Sequence, residues 1–426
     1  MRDFIADAAI YMVGRAVPAL IGFLSVAVFV RVMGEHDYGL YSIIFAGINL
    51  MSTVAVGWLS QAILRFQSRL DQHAAPFAKT IAAGIVWACV AAVAGTPVLL
   101  AVTAIGLNSA VTFMSACLLM AGLTVHTAYT ASLQAALRPR AAAAIEITRA
   151  VIALPASLLA MRVIHPPFVG GVLGLGIAYA ITALLARHQA SRSMPSVTAD
   201  VPDGNVEEAV RGLFWFGWPI SMWLGVSLLF PFGERFLIQR FLGPLTTGQY
   251  AATYDVVYRS CGFLLLPIVL AVHPRIMKEH ALGRQQASQR LWRTGLVLQL
   301  LVAATATAVL TAVAPRIVAL TGVRVTDATV SLVFPLAAAG CIWQIALMSH
   351  KLLEAMQQTR RMLAFLLVAL VLDIAIDTTL LPRFGAVAAA YALLATGVLY
   401  NVCVGVDGLR SASVGLECDR ELHTRA

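Results

Sequence analysis

Residues 31–41 read RVMGEHDYGLY, and residues 240–250 read RFLGPLTTGQY. The two stretches share Arg, Gly, Gly and Tyr at identical spacing, with an offset of 240 − 31 = 209 residues. The shared residues are Arg31, Gly34, Gly39 and Tyr41 in the first copy, and Arg240, Gly243, Gly248 and Tyr250 in the second. The repeated spacing predicts an internal duplication, although a short interfacial turn rich in glycine would explain each copy separately.

Both copies lie between long apolar runs. Of the 426 residues, 60% are hydrophobic and 12% are charged, whereas soluble proteins carry about 25% charged residues. A helix needs about 20 apolar residues to cross the hydrocarbon layer of a membrane. The sequence therefore predicts an all-α polytopic membrane protein with about twelve spanning helices. The predicted spans are 8–32, 38–64, 80–104, 109–135, 142–163, 167–187, 212–233, 247–273, 293–315, 327–350, 361–381 and 384–406.

The twelve runs fall into two groups of six. We predict a first six-helix bundle over residues 1–187, a hydrophilic linker over 188–211, a second bundle over 212–406 and a tail over 407–426. Because six spans separate the two copies of the motif, both copies should have the same orientation in the membrane. Parallel repeats of this kind are related by an axis along the membrane normal and place a central cavity and its substrate site between them.

The formal net charge of +9 raises the question of a nucleic-acid partner. However, Lys and Arg favour the loops on one predicted face by about three to one, and such a bias marks the cytoplasmic side. We therefore expect both termini to be cytoplasmic and no nucleic acid to bind. The six cysteines lack CxxC spacing, which favours free thiols over disulfides or a metal site.

Several motifs resemble one protein family. RVMGEHDYGLYS (31–42) is similar to its outward turn after the first helix, although Pro, Ala or Ser would be commoner after Gly34. WLSQAILRF (58–66), FGWP (216–219), ERFLIQRFLG (234–243) and LPRFGAVAAA (381–390) resemble other marked regions of the family. The family is the polysaccharide-exporter, O-antigen-flippase-like branch of the multidrug/oligosaccharidyl-lipid/polysaccharide (MOP) superfamily, whose fold is MATE-like.

The resemblance implies a flippase that moves a lipid-linked oligosaccharide, usually built on undecaprenyl pyrophosphate, across a bacterial inner membrane for surface polysaccharide synthesis. Implied partners are the lipid-linked oligosaccharide, membrane lipids, a polysaccharide polymerase and a chain-length regulator. No cofactor is implied beyond coupling to H⁺ or Na⁺. The chain also has no GxxxxGK[ST] loop, so we do not expect it to hydrolyse ATP.

Charged residues inside the predicted spans are the candidate site residues, because each one needs a partner, water or a ligand. Arg15 either faces an aqueous cavity, where guanidinium would bind pyrophosphate, or extends to the headgroups. Glu146 and Arg149 (i, i+3) and Asp255 and Arg259 (i, i+4) either neutralise each other or open in a cavity, the arginine taking pyrophosphate and the acid a cation.

Two further candidates are a carboxylate pair in the eleventh predicted span and an arginine at the end of the second. Asp373 and Asp377 (i, i+4) have no local base, so they form a cation site, pair with another helix, or share a proton. Arg65 is either a cytoplasmic anchor or part of an electropositive cavity mouth. Two rival functions stay open, namely a cation-coupled multidrug antiporter of the same superfamily and a membrane polysaccharide polymerase or glycosyltransferase.

Overall fold

The computed structural model describes the backbone of residues 2–66, 74–106, 109–192 and 206–425, and side chains there except at 2–13, 15, 74–78 and 412–425. All regular structure in these segments is helical. The helices are α1 (Arg2–Phe66), α2 (Ala74–Thr103), α3 (Ala110–Ala135), α4 (Pro139–Val163), α5 (Pro167–Ser191), α6 (Val206–Ala281), α7 (Gln285–Ala312), α8 (Ala314–Thr321), α9 (Asp327–Val330), α10 (Val333–Ser349), α11 (Lys351–Ala355), α12 (Thr359–Phe384) and α13 (Val387–Arg425).

Ten helical stretches of the described residues are long and apolar enough to cross a membrane. Two of them, α1 with 65 residues and α6 with 76, are each more than long enough for two crossings, since one crossing needs about 20 residues. Each is broken once, α1 at Gly34 and α6 at Gly243. The described helices therefore have the length for twelve crossings, and the predicted all-α polytopic fold is confirmed.

The two breaks have nearly the same backbone conformation. Gly34 has φ 80° and ψ 165°, and Gly243 has φ 84° and ψ 171°. This region is essentially restricted to glycine. A Cβ atom added at either position would meet no other atom within 4 Å, so conformation and not crowding requires glycine. The duplication read from the sequence therefore recurs in the backbone.

The turns expected at these two positions are much shorter than predicted. The predicted spans left gaps at 33–37 and 234–246, but helix continues on both sides of a single glycine. Tyr41 and Tyr250 lie inside the following helical segments and are buried. The predicted boundaries are wrong here because backbone hydrogen bonding continues through polar residues that a hydropathy pattern excludes.

The first compact unit comprises Met1–Phe232. In it, α5 packs closely on α3 and α4, and α1 packs on the same two helices. Gly170 and Gly174 of α5 make close packing possible, since a Cβ at Gly174 would lie 2.3 Å from the Cα of Ser157 on α4. Small residues four apart let helix backbones approach in membranes, where packing replaces the hydrophobic effect.

The second compact unit comprises Gly233–Ala426. Here α10 packs on α7 and α13, and α13 also packs on α12. The indole of Trp292 on α7 donates from Nε1 to the carbonyl oxygen of Met348 on α10 at 2.9 Å. In the described part of the chain, five cysteines are free thiols, namely Cys89, Cys117, Cys261, Cys341 and Cys403. The side chain of Cys418 lies outside the described residues.

The first segment of α6 packs in the first unit, against the second segment of α1. Ser221 Oγ donates to the carbonyl oxygen of Thr53 at 3.0 Å, and the rings of Phe214 and Trp58 meet edge to face at 5.4 Å. The contacts therefore place the unit boundary after Phe232, whereas the predicted second half starts at residue 212. The division into two six-helix halves stays a prediction.

Helices also extend into the segments predicted to be linker and tail. α5 continues to Ser191 and α6 begins at Val206, so helix occupies both ends of the predicted 188–211 linker. Residues 193–205 lie outside the described residues. α13 continues to Arg425 through the predicted 407–426 tail. Polar residues can prolong a helix beyond its apolar part, which explains the difference.

We predict that Gly243→Ala destabilises the protein by about 1–3 kcal/mol, because alanine does not tolerate the backbone conformation at this break. Gly233→Ala is the matched control, since Gly233 has open space around it and lies inside the α6 helix. The control should be neutral or stabilising by up to about 1 kcal/mol. Thermal unfolding of both purified variants in detergent measures the difference, and equal melting temperatures would contradict the prediction.

Candidate functional site

A chain of polar side chains links three helices of the first unit. Glu146 on α4 is its centre, with His126 Nε2 on α3 lying 2.9 Å from Oε1 and Arg149 Nε donating to Oε2 at 3.0 Å. The other imidazole nitrogen, Nδ1, lies 3.1 Å from the hydroxyl of Thr182 on α5. We call His126, Glu146, Arg149, Tyr179 and Thr182 the first-unit cluster.

The aromatic ring of Tyr179 on α5 packs against both Arg149 and His126 of this cluster. The guanidinium carbon of Arg149 lies 5.0 Å from the ring centroid, a cation–π contact, and His126 meets the ring edge to face at 5.2 Å. The Arg149 side chain keeps 19% of its surface exposed. The predicted intrahelical pair is therefore present, and part of the Arg149 side chain remains exposed.

The second unit contains a cluster with two arginines around one carboxylate. Arg235 Nη2 and Arg259 Nη2 each lie 2.9 Å from Asp255 Oδ1. Arg235 also stacks over the ring of Tyr254, at 5.1 Å from its centroid. We call Arg235, Tyr254, Asp255 and Arg259 the arginine cluster. Within this cluster, two arginines contact one carboxylate.

The two arginines of this cluster differ sharply in exposure. The side chain of Arg235 is 4% exposed, whereas that of Arg259 is 51% exposed. Arg259 lies near the middle of the span predicted over 247–273. Because a charge at membrane depth costs about 2.5–3.5 kcal/mol on insertion scales, a half-exposed guanidinium at this level should face water and not lipid.

A group of acidic side chains lies in the same unit. Tyr250 donates its hydroxyl to Glu234 Oε2 at 2.6 Å, and Thr396 on α13 donates to Asp373 Oδ1 at 3.0 Å. Asp377 follows Asp373 by one turn of α12, and within the described residues its two buried carboxylate oxygens have no hydrogen-bond partner. We call Glu234, Tyr250, Asp373, Asp377 and Thr396 the acidic group.

The three carboxyl groups of the acidic group interact electrostatically. Like charges in a buried region repel each other, so a bound proton or monovalent cation would relieve this repulsion. They do not converge as ready-made metal ligands, since among the described residues no three His, Cys, Asp or Glu side chains form such a group.

The duplication preserves the backbone of this region but not its charges. Subtracting the 209-residue offset pairs Arg235 with Val26 and Asp255 with Ala46. The aromatic pair persists, because Tyr41 and Phe45 stack at 6.0 Å in the place of Tyr250 and Tyr254, whose rings lie 6.1 Å apart. The arginine cluster therefore belongs to the second copy alone, as expected if the two copies have taken different roles.

Two other predicted residues lie elsewhere. Arg65 is exposed at the end of α1, with its guanidinium carbon 4.9 Å from the ring centroid of Phe216. That contact suits an anchor and equally a cationic surface that stacks on a ligand. The side chain of Arg15 lies outside the described residues, so its predicted role stays a prediction.

Sequence reasoning missed His126, Glu234 and Arg235. His126 was detectable as an imidazole inside an apolar run, which is itself a sign of a polar contact in a span. Glu234 and Arg235 were assigned to an outward loop because the predicted span ended at residue 233. The structure buries both inside α6, where the Gly243 break brings them against residues of the following segment.

The family described as polysaccharide biosynthesis protein matches residues 4–280 of this 426-residue chain. The chain belongs to this polysaccharide biosynthesis family. The resemblance inferred from the sequence motifs is thereby confirmed. No curated protein sequence matches this family member.

Solved structures similar to this family member are transporters of the MOP superfamily. An inward-facing MATE multidrug-resistance transporter has 11% identity and a TM-score of 0.70, with 96% of this chain and 99% of that chain covered. A MOP transporter from Pyrococcus furiosus has 13% identity and a TM-score of 0.68, covering 96% and 94%. The MATE multidrug transporter DinF-BH has 16% identity and a TM-score of 0.70, covering 96% of each chain. The family member therefore has the MOP transporter fold.

We predict that the two arginines on Asp255 contribute differently to stability. Asp255→Asn should destabilise the protein by about 3–5 kcal/mol, because it leaves the buried Arg235 without its carboxylate. Arg259→Gln should cost under about 1 kcal/mol, since that side chain is half exposed. Melting temperatures in detergent test this prediction. Equal losses in the two variants would show that Arg259 is as structural as Arg235.

Proposed function

We propose that this protein is a flippase for a lipid-linked oligosaccharide, built on undecaprenyl pyrophosphate, in a bacterial inner membrane. The flippase would act in the synthesis of a surface polysaccharide such as O-antigen, lipopolysaccharide or exopolysaccharide. We propose alternating access through the predicted central cavity, with both termini cytoplasmic. A polymerase and a chain-length regulator that act on the exported units are the proposed protein partners.

The observation that carries the proposal is the half-exposed side chain of Arg259 near the middle of a predicted span, in a cluster where two arginines contact one carboxylate. Pyrophosphate is a fitting ligand, because guanidinium binds phosphate oxygens through two parallel hydrogen bonds. Arg149 offers a second guanidinium whose position is fixed by Glu146 and Tyr179. Membership of the polysaccharide biosynthesis family supports a glycan as the remainder of the substrate.

A cation-coupled multidrug antiporter is the second candidate, and two observations favour it. Several similar structures are described as multidrug transporters, and the acidic group of the second unit suits cation exchange. The similar MOP transporter from Pyrococcus furiosus is described as having a binding pocket of reverse polarity, which suggests a different function for that protein. The half-exposed Arg259 suits an anionic substrate in this chain.

We propose that the acidic group couples transport to a cation. Asp377 has no hydrogen-bond partner in the described part of the chain, so a proton or Na⁺ would compensate for its burial. The carboxylates of Glu146 and Asp255 already accept hydrogen bonds from cationic or imidazole groups. Among the acids predicted to couple a cation, Asp377 and Asp373 are therefore favoured over Glu146 and Asp255.

The substrate proposal predicts that Arg149→Ala and Arg259→Ala each reduce glycan export by about 10- to 100-fold, the value of a hydrogen bond to a charged group. Arg162→Ala is the control, since Arg162 is an exposed residue in the last turn of α4. Surface glycan and the leaflet that holds the lipid-linked units should be measured in cells.

Three outcomes separate the candidate functions. A flippase variant collects single lipid-linked units on the cytoplasmic leaflet, whereas loss of a polymerase or glycosyltransferase collects them on the periplasmic leaflet. Loss of drug efflux with normal glycan export would favour the antiporter. Normal export by both arginine variants would refute the proposed role of their guanidinium groups.

The coupling proposal predicts that Asp377→Asn abolishes transport while raising the melting temperature by a few degrees, because burial of an uncompensated charge costs several kcal/mol. Wild-type protein should also gain stability from Na⁺ or from acidic pH, whichever supplies the cation. Asp327→Asn, an exposed control, should change neither response. Retained transport in Asp377→Asn would overturn the coupling role.

A further inference from the structure

A basic pocket lies outside both polar clusters, between the end of α6 and the start of α7. Its volume is about 550 Å³. Its charged lining residues are Arg275, Lys278 and Glu279 of α6 and Arg290 of α7, and Leu291 and Thr294 line its α7 side. The pocket belongs to the second unit alone, so its lining is complete within that unit.

The pocket carries excess positive charge. Glu279 is its one acidic lining residue, and Arg284 Nη1 already lies 3.6 Å from Glu279 Oε2. Arg275, Lys278 and Arg290 form no ion pair with any residue that the structure describes. Three lining cations against one carboxylate, which Arg284 already pairs, leave an anion-binding surface, in contrast to the arginines of the spans, which are held by acids.

The position of the pocket along the helices indicates where that anion comes from. Leu301 lies eleven residues beyond Arg290, or about 16 Å along the axis of α7. Val297 and Leu301 are exposed on that helix, as residues in contact with lipid chains are. The cations therefore lie at headgroup level, beside an apolar surface that continues into the membrane.

We propose that this pocket binds the phosphate headgroup of an anionic phospholipid of the bulk membrane, with its acyl chains along the exposed face of α7. Basic pockets between spanning helices at this level recognise anionic lipid headgroups. On the predicted topology the lipid belongs to the cytoplasmic leaflet. This site is independent of the proposed transport function.

The occupant is a membrane lipid and not a soluble anion, because the apolar α7 face adds binding energy that only acyl chains can use. Free phosphate meets the same cations but gains nothing from Val297 or Leu301. Free pyrophosphate tests whether the pocket instead serves the headgroup of the proposed substrate. Comparison of an anionic phospholipid with free phosphate and free pyrophosphate therefore distinguishes the possible sources of the anion.

The experiment titrates the purified full-length protein, in an uncharged detergent, with phosphatidylglycerol, phosphatidylcholine, inorganic phosphate and inorganic pyrophosphate. Native mass spectrometry counts the bound lipids. The variant Arg275→Gln/Lys278→Gln/Arg290→Gln should bind phosphatidylglycerol about 100-fold more weakly, since each basic residue near an anionic surface contributes about fivefold. Wild-type protein should bind phosphatidylcholine weakly, as the variant does.

The matched control is Arg138→Gln/Arg293→Gln/Arg360→Gln, which removes three exposed cations outside the pocket from the face predicted to be cytoplasmic. It should bind phosphatidylglycerol as the wild type does. Equal weakening in both variants would mean nonspecific attraction and overturn the site. Binding of phosphate or pyrophosphate as tight as that of phosphatidylglycerol would overturn the lipid assignment. Melting temperatures verify that both variants are folded.

Discussion

An ionised side chain in the hydrocarbon layer costs about 2.5–3.5 kcal/mol on insertion scales, and this cost governs where the charges of the spans lie. Glu146 is held between His126 and Arg149, and Asp255 between Arg235 and Arg259. Each carboxylate thus offsets part of the charge of the arginines that it contacts. The arrangement holds ionised side chains inside the spans by pairing them with groups of opposite charge.

Asp377 differs from Glu146 and Asp255 in how its buried carboxylate is held. Its carboxylate oxygens are buried without a hydrogen-bond partner among the described residues, although Thr396 serves the neighbouring Asp373. Burial of an uncompensated charge is costly to folding, and a bound proton or cation would reduce this cost, as the coupling proposal requires. In the basic pocket, by contrast, the cations need no acidic partner, because interfacial water and lipid phosphates can stabilise their charge.

The breaks at Gly34 and Gly243 turn single helices into helical pairs. In α6, the break brings Arg235 to Asp255 and Glu234 to Tyr250, residues that are 20 and 16 positions apart. The same break in α1 brings together apolar and aromatic residues, because Val26 and Ala46 occupy the equivalent places. A duplicated backbone therefore carries different chemistry in its two copies, and the proposed substrate contacts of the second copy have no counterpart in the first.

The sequence by itself determined the number of spans, the duplication and its two glycines, and the pairs Glu146–Arg149 and Asp255–Arg259. These features follow from local geometry, since apolar length decides a span and a helix of 3.6 residues per turn places i, i+3 and i, i+4 side chains together. Only the tertiary structure decided that His126 meets Glu146, that Arg235 meets Asp255 and that α6 continues through the predicted loop. Such contacts depend on how each helix is rotated about its axis, and that rotation is set by packing among helices far apart in the chain.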